Sequence, residues 1–314
     1  MSLPDDYLQY PKRAYGHDHA WFKWDMLRQR APVQWPQGKR LAVWINVSLQ
    51  HYPLDQQGVP FKVPNGMTMP YPDLRHYSLR DYGNRVGVFR VMAALAQAKF
   101  PATWAINAEL AQINPWLVKR VAQEAGAEIV AHGWNMDTLL HNGMTAEEEA
   151  QWLQRCRQLL SDVTGQSVTG WLSPARQQSW RTLELLADAG FAYCMDWVND
   201  DMPYAVLPDR GGLHMMPLNT EIEDQFLMCN NLHSEDSWVQ QVTDAVDFML
   251  DEAAHLGSGR MLGISIHPWL VGQPHRVACL ERVLAHLQSK PEVWVDTAQH
   301  ILGHWREQQG PSRD

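Results

Sequence analysis

The chain reads as a single α/β domain built on one parallel-stranded barrel or sheet. Two observations predict this: strand-like and helix-like segments alternate about seven times with no break in composition, and the strand candidates are near-continuous apolar runs of the kind buried on both faces. A third places the chemistry. Two of these runs, Ala127-Glu128-Ile129-Val130-Ala131 and Gly263-Ile264-Ser265-Ile266, end abruptly on His132-Gly133 and His267-Pro268. In barrels of alternating strands and helices, catalytic side chains gather at the C-terminal strand edge, because loops there vary without disturbing the core. Two strand-terminal histidines therefore suggest one shared site.

Residues 1–40 are rich in Pro, Tyr, Trp and charge without a sustained period, and read as an arm on a single domain spanning 1–314, with the barrel over 41–305. Leu41 to Ser48 is the first strand. A long loop carrying Pro53, Pro60, Pro64, Pro70 and Pro72 follows to about Arg85; loops this long serve as lids, binding segments or subunit contacts. Val88, Val91, Met92, Leu95 and Ala96 then mark a helix, and Ala102 to Asn107 the second strand. A helix from Pro115 to Gly126 leads into the His132 strand. The next helix opens on Thr145 and Glu148, a capping box. Beyond it come a strand near Val168 to Leu172, a helix Ser179 to Gly190, strands Phe191 to Met195 and Leu213 to Leu218, a long helix Asp236 to Leu256 and the His267 strand. A helix near Arg276 to Gln288, the short strand Val293 to Val295 and a last helix close the chain.

With 314 residues, 45% of them hydrophobic, the chain can bury a sizeable core. A net charge of −9 with no basic run argues against nucleic acid and anionic membranes as partners, and no apolar run is long enough for a membrane span. The N-terminus lacks a basic region followed by an apolar stretch, so the expected location is cytoplasmic. Cys156, Cys194, Cys229 and Cys279 are scattered, as reduced thiols are.

The strand ends collect Gln50, His51, Asn107, His132, Trp171, Arg176, the run Asp196, Trp197, Asp200 and Asp201, then Glu221 and His267. Such groups can hydrolyse an amide. A histidine or carboxylate moves the proton of an attacking water, and a second histidine or an arginine stabilises the oxyanion or protonates the leaving nitrogen. His132, His267, Gln50 and Asp201 are the catalytic candidates. His51, Trp171, Arg176, Asp196, Trp197, Asp200 and Glu221 are the substrate-binding ones, on aromatic walls suited to a flat or ring-shaped small molecule. Zinc in a hydrolase normally needs three protein ligands and an open position. His132 and His267 supply two, but Met136 stands four residues after His132, and Ser48, Leu49 and Gln50 are neutral. No cofactor is expected, with zinc or nickel as the alternative.

On these motifs the sequence resembles the polysaccharide deacetylase (NodB-homology) superfamily, and within it the cofactor-free allantoinases and cyclic imide hydrolases. The residues that carry the likeness are Asp196-Trp197-Val198-Asn199-Asp200-Asp201-x-Pro203-Tyr204 and Ile266-His267-Pro268-x-Leu270-x-Gly272-Gln273-Pro274-His275-Arg276. Glu128 to Gly133, Gly170-Trp171-Leu172-x-Pro174 and Arg80-Asp81-Tyr82-Gly83-x-Arg85-x-Gly87 support them. The resemblance implies a distorted (β/α) barrel of seven or so parallel strands, a homo-oligomer (dimer or tetramer), and hydrolysis of a non-peptide carbon–nitrogen bond. Metal-dependent members carry an aspartate pair where this chain has Ser48 to Gln50, and a second histidine where it has Met136. Three activities remain open: opening of a small cyclic amide, imide or ureide; N-deacetylation of an acetylated sugar; and a catalytically silent homologue that binds a ligand.

Overall fold

The computed structural model describes residues 16–56, 74–208, 210 and 212–309. The loop prolines at 60, 64, 70 and 72 lie outside these residues, as does the first part of the arm.

The strands are β1 (Leu41–Leu49), β2 (Ala102–Ile106), β3 (Ala127–Ala131), β4 (Gly170–Trp171), β5 (Tyr193–Cys194), β6 (Tyr204–Ala205), β7 (His214–Met215), β8 (Arg260–Ile266) and β9 (Val293–Val295). They form one curled sheet in the order β6-β7-β5-β4-β3-β2-β1-β8, parallel except for the β6 and β7 pair. No pairing among the described residues joins β8 to β6, so the barrel stays open on one side. Along β1, β8 takes one edge from Leu41 to Val47, β2 takes the upper half of the other from Asn46 to Leu49, and β9 fills the lower half from Leu41 to Val43.

The alternation of side chains along each strand decides what faces the interior. Leu41, Val43, Ile45, Val47 and Leu49 pack outward with the surrounding helices, whereas Ala42 and Trp44 join Val130, Tyr193, Met216 and Met261 inside the barrel. The same inward parity continues upward through Asn46, Ser48 and Gln50. An apolar floor thus gives way to a polar top. Parallel register carries this across the sheet: Ser48 pairs with Ala105 and Ala105 with Val130, so two residues further on Gln50, Asn107 and His132 stand level. Asn46 pairs with Ser265, which puts His267 level with Ser48.

The helices follow the predicted pattern where they are amphipathic. Thr145 caps the helix Ala146–Thr164 through the capping box with Glu148, and Glu235–Leu256 is the long helix. Three differences have local causes. The stretch read as loop up to Arg85 contains a helix, Leu74–Tyr82, continued by a π-helical turn, Gly83–Gly87. Its polar sequence carries no apolar stripe to give it away. A short helix, Ala108–Ile113, follows β2, and β4, β5 and β7 are shorter than their apolar runs. The π-helical turn abuts the residues after His267: a Cβ on Gly87 would lie 2.0 Å from the Pro268 carbonyl oxygen. Glycine there lets two of the motifs touch backbone to backbone.

From the arm, Val33 and Trp35 are buried, with Trp35 Nε1 donating to the Arg260 carbonyl at 2.7 Å. The four cysteines are free, and among the described residues no helix is long and apolar enough to cross a membrane.

Candidate active site

His132 and His267 both reach the top of the barrel interior, each 2% exposed, but their surroundings differ. His132 Nδ1 lies 2.9 Å from the Leu172 carbonyl, which can only accept, so Nδ1 carries the proton and Nε2 offers a lone pair. That nitrogen faces the Gln50 side-chain amide at 3.5 Å. Burial pushes the His132 imidazole down to about 4, with the like-signed His267 and Arg176 acting in the same direction. His132 is therefore neutral throughout the physiological range.

His267 sits among carboxylates. Asp224, fully buried, accepts from the His267 backbone N–H at 2.8 Å and from Nδ1 at 2.7 Å. The opposite nitrogen, Nε2, lies 3.4 Å from Glu223 Oε1. Burial raises the Glu223 carboxyl, while His267 and Arg176 pull it back. Asp224 thus orients the ring and leaves Nε2 of His267 beside Glu223.

Arg176 closes the triangle, with Nη2 3.6 Å from Glu223 and Nη1 donating to the Leu218 carbonyl at 2.7 Å. Ala175 and Arg176 both adopt left-handed backbone, φ 52° and 55°, a strain that tends to cluster at functional loops. On the other flank Arg80 is buried, its guanidinium 3.8 Å over the Trp269 ring and 4.8 Å over Tyr52. It donates to the Tyr52 oxygen at 3.2 Å and to Gln225 Oε1 at 3.4 Å. Asn107 supports the rim by accepting from the His51 backbone N–H at 2.7 Å and donating to the His132 carbonyl. The His51 ring stands 3.4 Å from Glu109, and burial lowers its pKa.

Of the residues singled out in the sequence, His132, His267, Gln50 and Arg176 converge, with His51 at the edge. Asn107 braces them at the rim, and the remaining residues do not join them. Trp171 has outward parity, opposite Ala131 in the register, and is fully buried against Phe191 with Nε1 donating to Ser173 Oγ. It is core, not pocket wall. Asp196 braces loops, accepting from Ser173 N at 2.7 Å and from Gln178 Nε2 at 2.5 Å. Trp197 packs on Trp21 and Phe22 of the arm. Asp200 pairs with Arg30 through both carboxylate oxygens, and Asp201 has Arg260 and Glu252 as charged neighbours. Arg260 opens β8, roughly 20 Å of strand below His267, so Asp201 is not placed for the proposed catalysis. A cavity of about 1700 Å³ opens there, lined by Arg30, Asp200, Asp201, Tyr204, Arg260 and Trp305. It includes neither histidine, and the convergent polar groups mark the other end. Glu221 is exposed, with its backbone N–H turned to Asn219; the acids that reach His267 are Glu223 and Asp224, two and three residues later. Those two and Arg80 are what sequence reasoning missed, although Arg80 belongs to one of the motifs that carry the family likeness.

A metal-dependent deacetylase would hold its cation at His132. Here the groups around that ring are an amide, His267 and Arg176, a donor set that repels a cation. The one cluster of described residues with ligand spacing is Glu223, Asp224 and His267. Both Asp224 oxygens there already accept from His267. The surroundings of His132 do not fit such a cation.

Residues 77–194 match the polysaccharide deacetylase family model. Over 298 residues, covering 86% of this chain and 92% of the relative, the sequence is 25% identical to a Schizosaccharomyces pombe protein named "Putative polysaccharide deacetylase". A shorter match, 30% over 126 residues and covering 40% of this chain and 42% of the relative, is to a Helicobacter pylori peptidoglycan deacetylase. Among solved structures, a Mycobacterium smegmatis protein described in the same words as the S. pombe one superposes with a TM-score of 0.74 at 26% identity, covering 91% of this chain and 96% of its own. Puue allantoinase superposes with a TM-score of 0.81 at 22% identity, covering 97% and 100%, a likeness of fold. Residues 77–194 are thus similar to polysaccharide deacetylases, and the barrel has the same fold as that allantoinase.

Proposed function

We propose that this protein hydrolyses a carbon–nitrogen bond other than a peptide bond, without a metal, and that its substrate is a small cyclic amide, imide or ureide. The relatives are named as deacetylases and an allantoinase, and the observation that carries the reading is the line Asp224, His267, Glu223. It supplies a base and an acid within one hydrogen-bonded unit.

The sequence of proton movements balances. With His267 protonated on both nitrogens and Glu223 ionised, Glu223 takes a proton from water as the oxygen attacks the substrate carbonyl carbon. Arg176 offers positive charge to the anion that forms. His267 passes its Nε2 proton to the ring nitrogen as the carbon–nitrogen bond breaks. Glu223 then returns its proton to His267 across their 3.4 Å contact, restoring the starting state. His132, neutral, lines the site as an acceptor and does not supply the proton.

N-deacetylation of an acetylated sugar uses the same steps on an open-chain amide, but the family's version relies on a cation that the His132 surroundings disfavour. Purified protein is to be screened with succinimide, hydantoin, dihydrouracil, allantoin and chitooligosaccharides, following ring opening and acetate release by NMR. Ring opening that survives chelators and vanishes in His267→Ala is the expected result. Acetate release without ring opening, or one stoichiometric zinc or nickel whose removal abolishes turnover, would overturn it, and turnover of none would favour a silent ligand-binding homologue.

A further inference from the structure

At the end of β1 the hydrogen-bond directions are forced, and they give Gln50 a job that a carboxylate could not do. Arg80 can only donate, and its Nη1 lies 3.5 Å from Gln50 Oε1. The Tyr52 hydroxyl, whose own oxygen accepts from Arg80, donates to the same Oε1 at 3.2 Å. Arg80 is buried, with its guanidinium over the Trp269 ring and near the Tyr52 ring. The Gln50 backbone is held, its carbonyl accepting from Asn84 Nδ2 at 2.8 Å. So the amide oxygen is occupied and the NH2 group faces inward. One hydrogen points to the lone pair of His132 Nε2, itself exposed because Nδ1–H is committed to Leu172. The other diverges from it and has no partner among the described residues.

We propose that Gln50 determines specificity as a fixed donor that binds a carbonyl or carboxylate oxygen of the ligand. The inference rests on the same site as the proposed function but not on turnover. Gln50 cannot accept a proton from water, and its oxygen already accepts from the Tyr52 hydroxyl. Ligands that turn an oxygen to the end of β1 are favoured over those that turn a ring N–H there. The carboxylate exposed when an imide ring opens is such an oxygen, so the ring-opened acid is itself a ligand.

The test is calorimetric titration of the full chain with succinamate, for wild type, Gln50→Met and Gln50→Glu, each checked for an unchanged melting temperature. The apolar, near-isosteric Met removes the donor; Glu replaces it with an acceptor held by Arg80. Both are expected to weaken succinamate binding about ten-fold or more, the usual scale for a lost hydrogen bond to a charged group. Wild-type affinity in Gln50→Met, weakening confined to Gln50→Glu, or no binding by wild type would each overturn the proposal. A ¹⁵N spectrum showing His132 protonated on Nε2 at neutral pH would do so too. If wild type binds succinamate through Gln50 yet opens no ring, the proposed function fails and this inference stands. If rings open and Gln50→Met keeps full activity and affinity, the proposed function stands and this inference fails.

Discussion

His132 and His267 end two strands of one sheet at the same edge of the barrel, yet they are not a matched pair. His132 donates to a backbone carbonyl, looks at an amide, and feels two cations; His267 donates to one carboxylate and lies against a second. The same side chain is held neutral at one strand end and set between two carboxylates at the other. A histidine's role is thus set by the acceptors that the neighbouring loops bring to it. Here the loop after β7 brings two carboxylates to His267, and the strand end of β1 brings none to His132.

The contrast breaks most completely at Asp224. Replacing it with Asn removes the acceptor that fixes His267 and allows the opposite tautomer, so turnover is expected to fall on the order of a thousand-fold or more, as when the orienting carboxylate of a catalytic triad is lost. Melting temperature serves as control because Asp224 is fully buried. An Asp224→Asn enzyme with near-normal kcat would make the two histidines equivalent. Glu223→Gln comes next. It keeps the shape but removes the base, with kcat expected to drop about a hundred-fold. Since burial raises the Glu223 carboxyl, wild-type kcat should climb with pH along a limb displaced above the ordinary carboxylate range. The limb belongs to Glu223 if it disappears in the variant, and a limb that persists unshifted assigns it elsewhere.

How the two strand ends were legible, and the rest not, follows from the periods involved. Apolar runs that stop on His-Gly and His-Pro name both histidines, and the two-residue alternation of β1 carries Gln50 inward with Asn46 and Ser48. The same rule, applied from Ala131 across to β4, turns Trp171 outward, a step that register supplies and sequence alone does not. Beyond a strand's last residue no period holds. Glu221, Glu223 and Asp224 are indistinguishable by composition, and only the folded loop separates the exposed first from the two that reach His267. Asp200 and Asp201 looked like a ligand wall because their chain leaves β5 at the site end. Their partners, Arg30 and Arg260, lie on segments that no spacing connects to them.

The His267 side depends on backbone contact as well as charge. Gly87→Ala would drive a methyl group to 2.0 Å from the Pro268 carbonyl oxygen, next to His267. Neither the π-helical turn nor the short helix Pro268–Val271 can yield without moving the other. A loss of about 3 kcal/mol in unfolding free energy is expected, at the upper end for overpacking, together with reduced kcat, whereas Gly303→Ala, inside the helix Ala298–Gln308 with open space around its Cβ, should leave kcat unchanged and raise stability by up to about 1 kcal/mol. Equal stability of the two variants in urea would show that the contact is slack.

The His132 side shows itself in stability against pH. Its imidazole titrates near 4 in the folded chain against 6.5 when unfolded, so between those values the unfolded state binds more protons and stability rises with pH. The contribution is intact above about 6.5 and is lost progressively as pH falls toward 4. From pH 7 to pH 5 it amounts to about 2 kcal/mol. His132→Gln retains an N–H able to reach the Leu172 carbonyl but does not titrate. Urea denaturation at the two pH values should therefore show a smaller acid loss in the variant than in wild type, by about that amount. An identical acid loss in both would mean that His132 takes up its proton in the folded state, and the neutral half of the contrast would go.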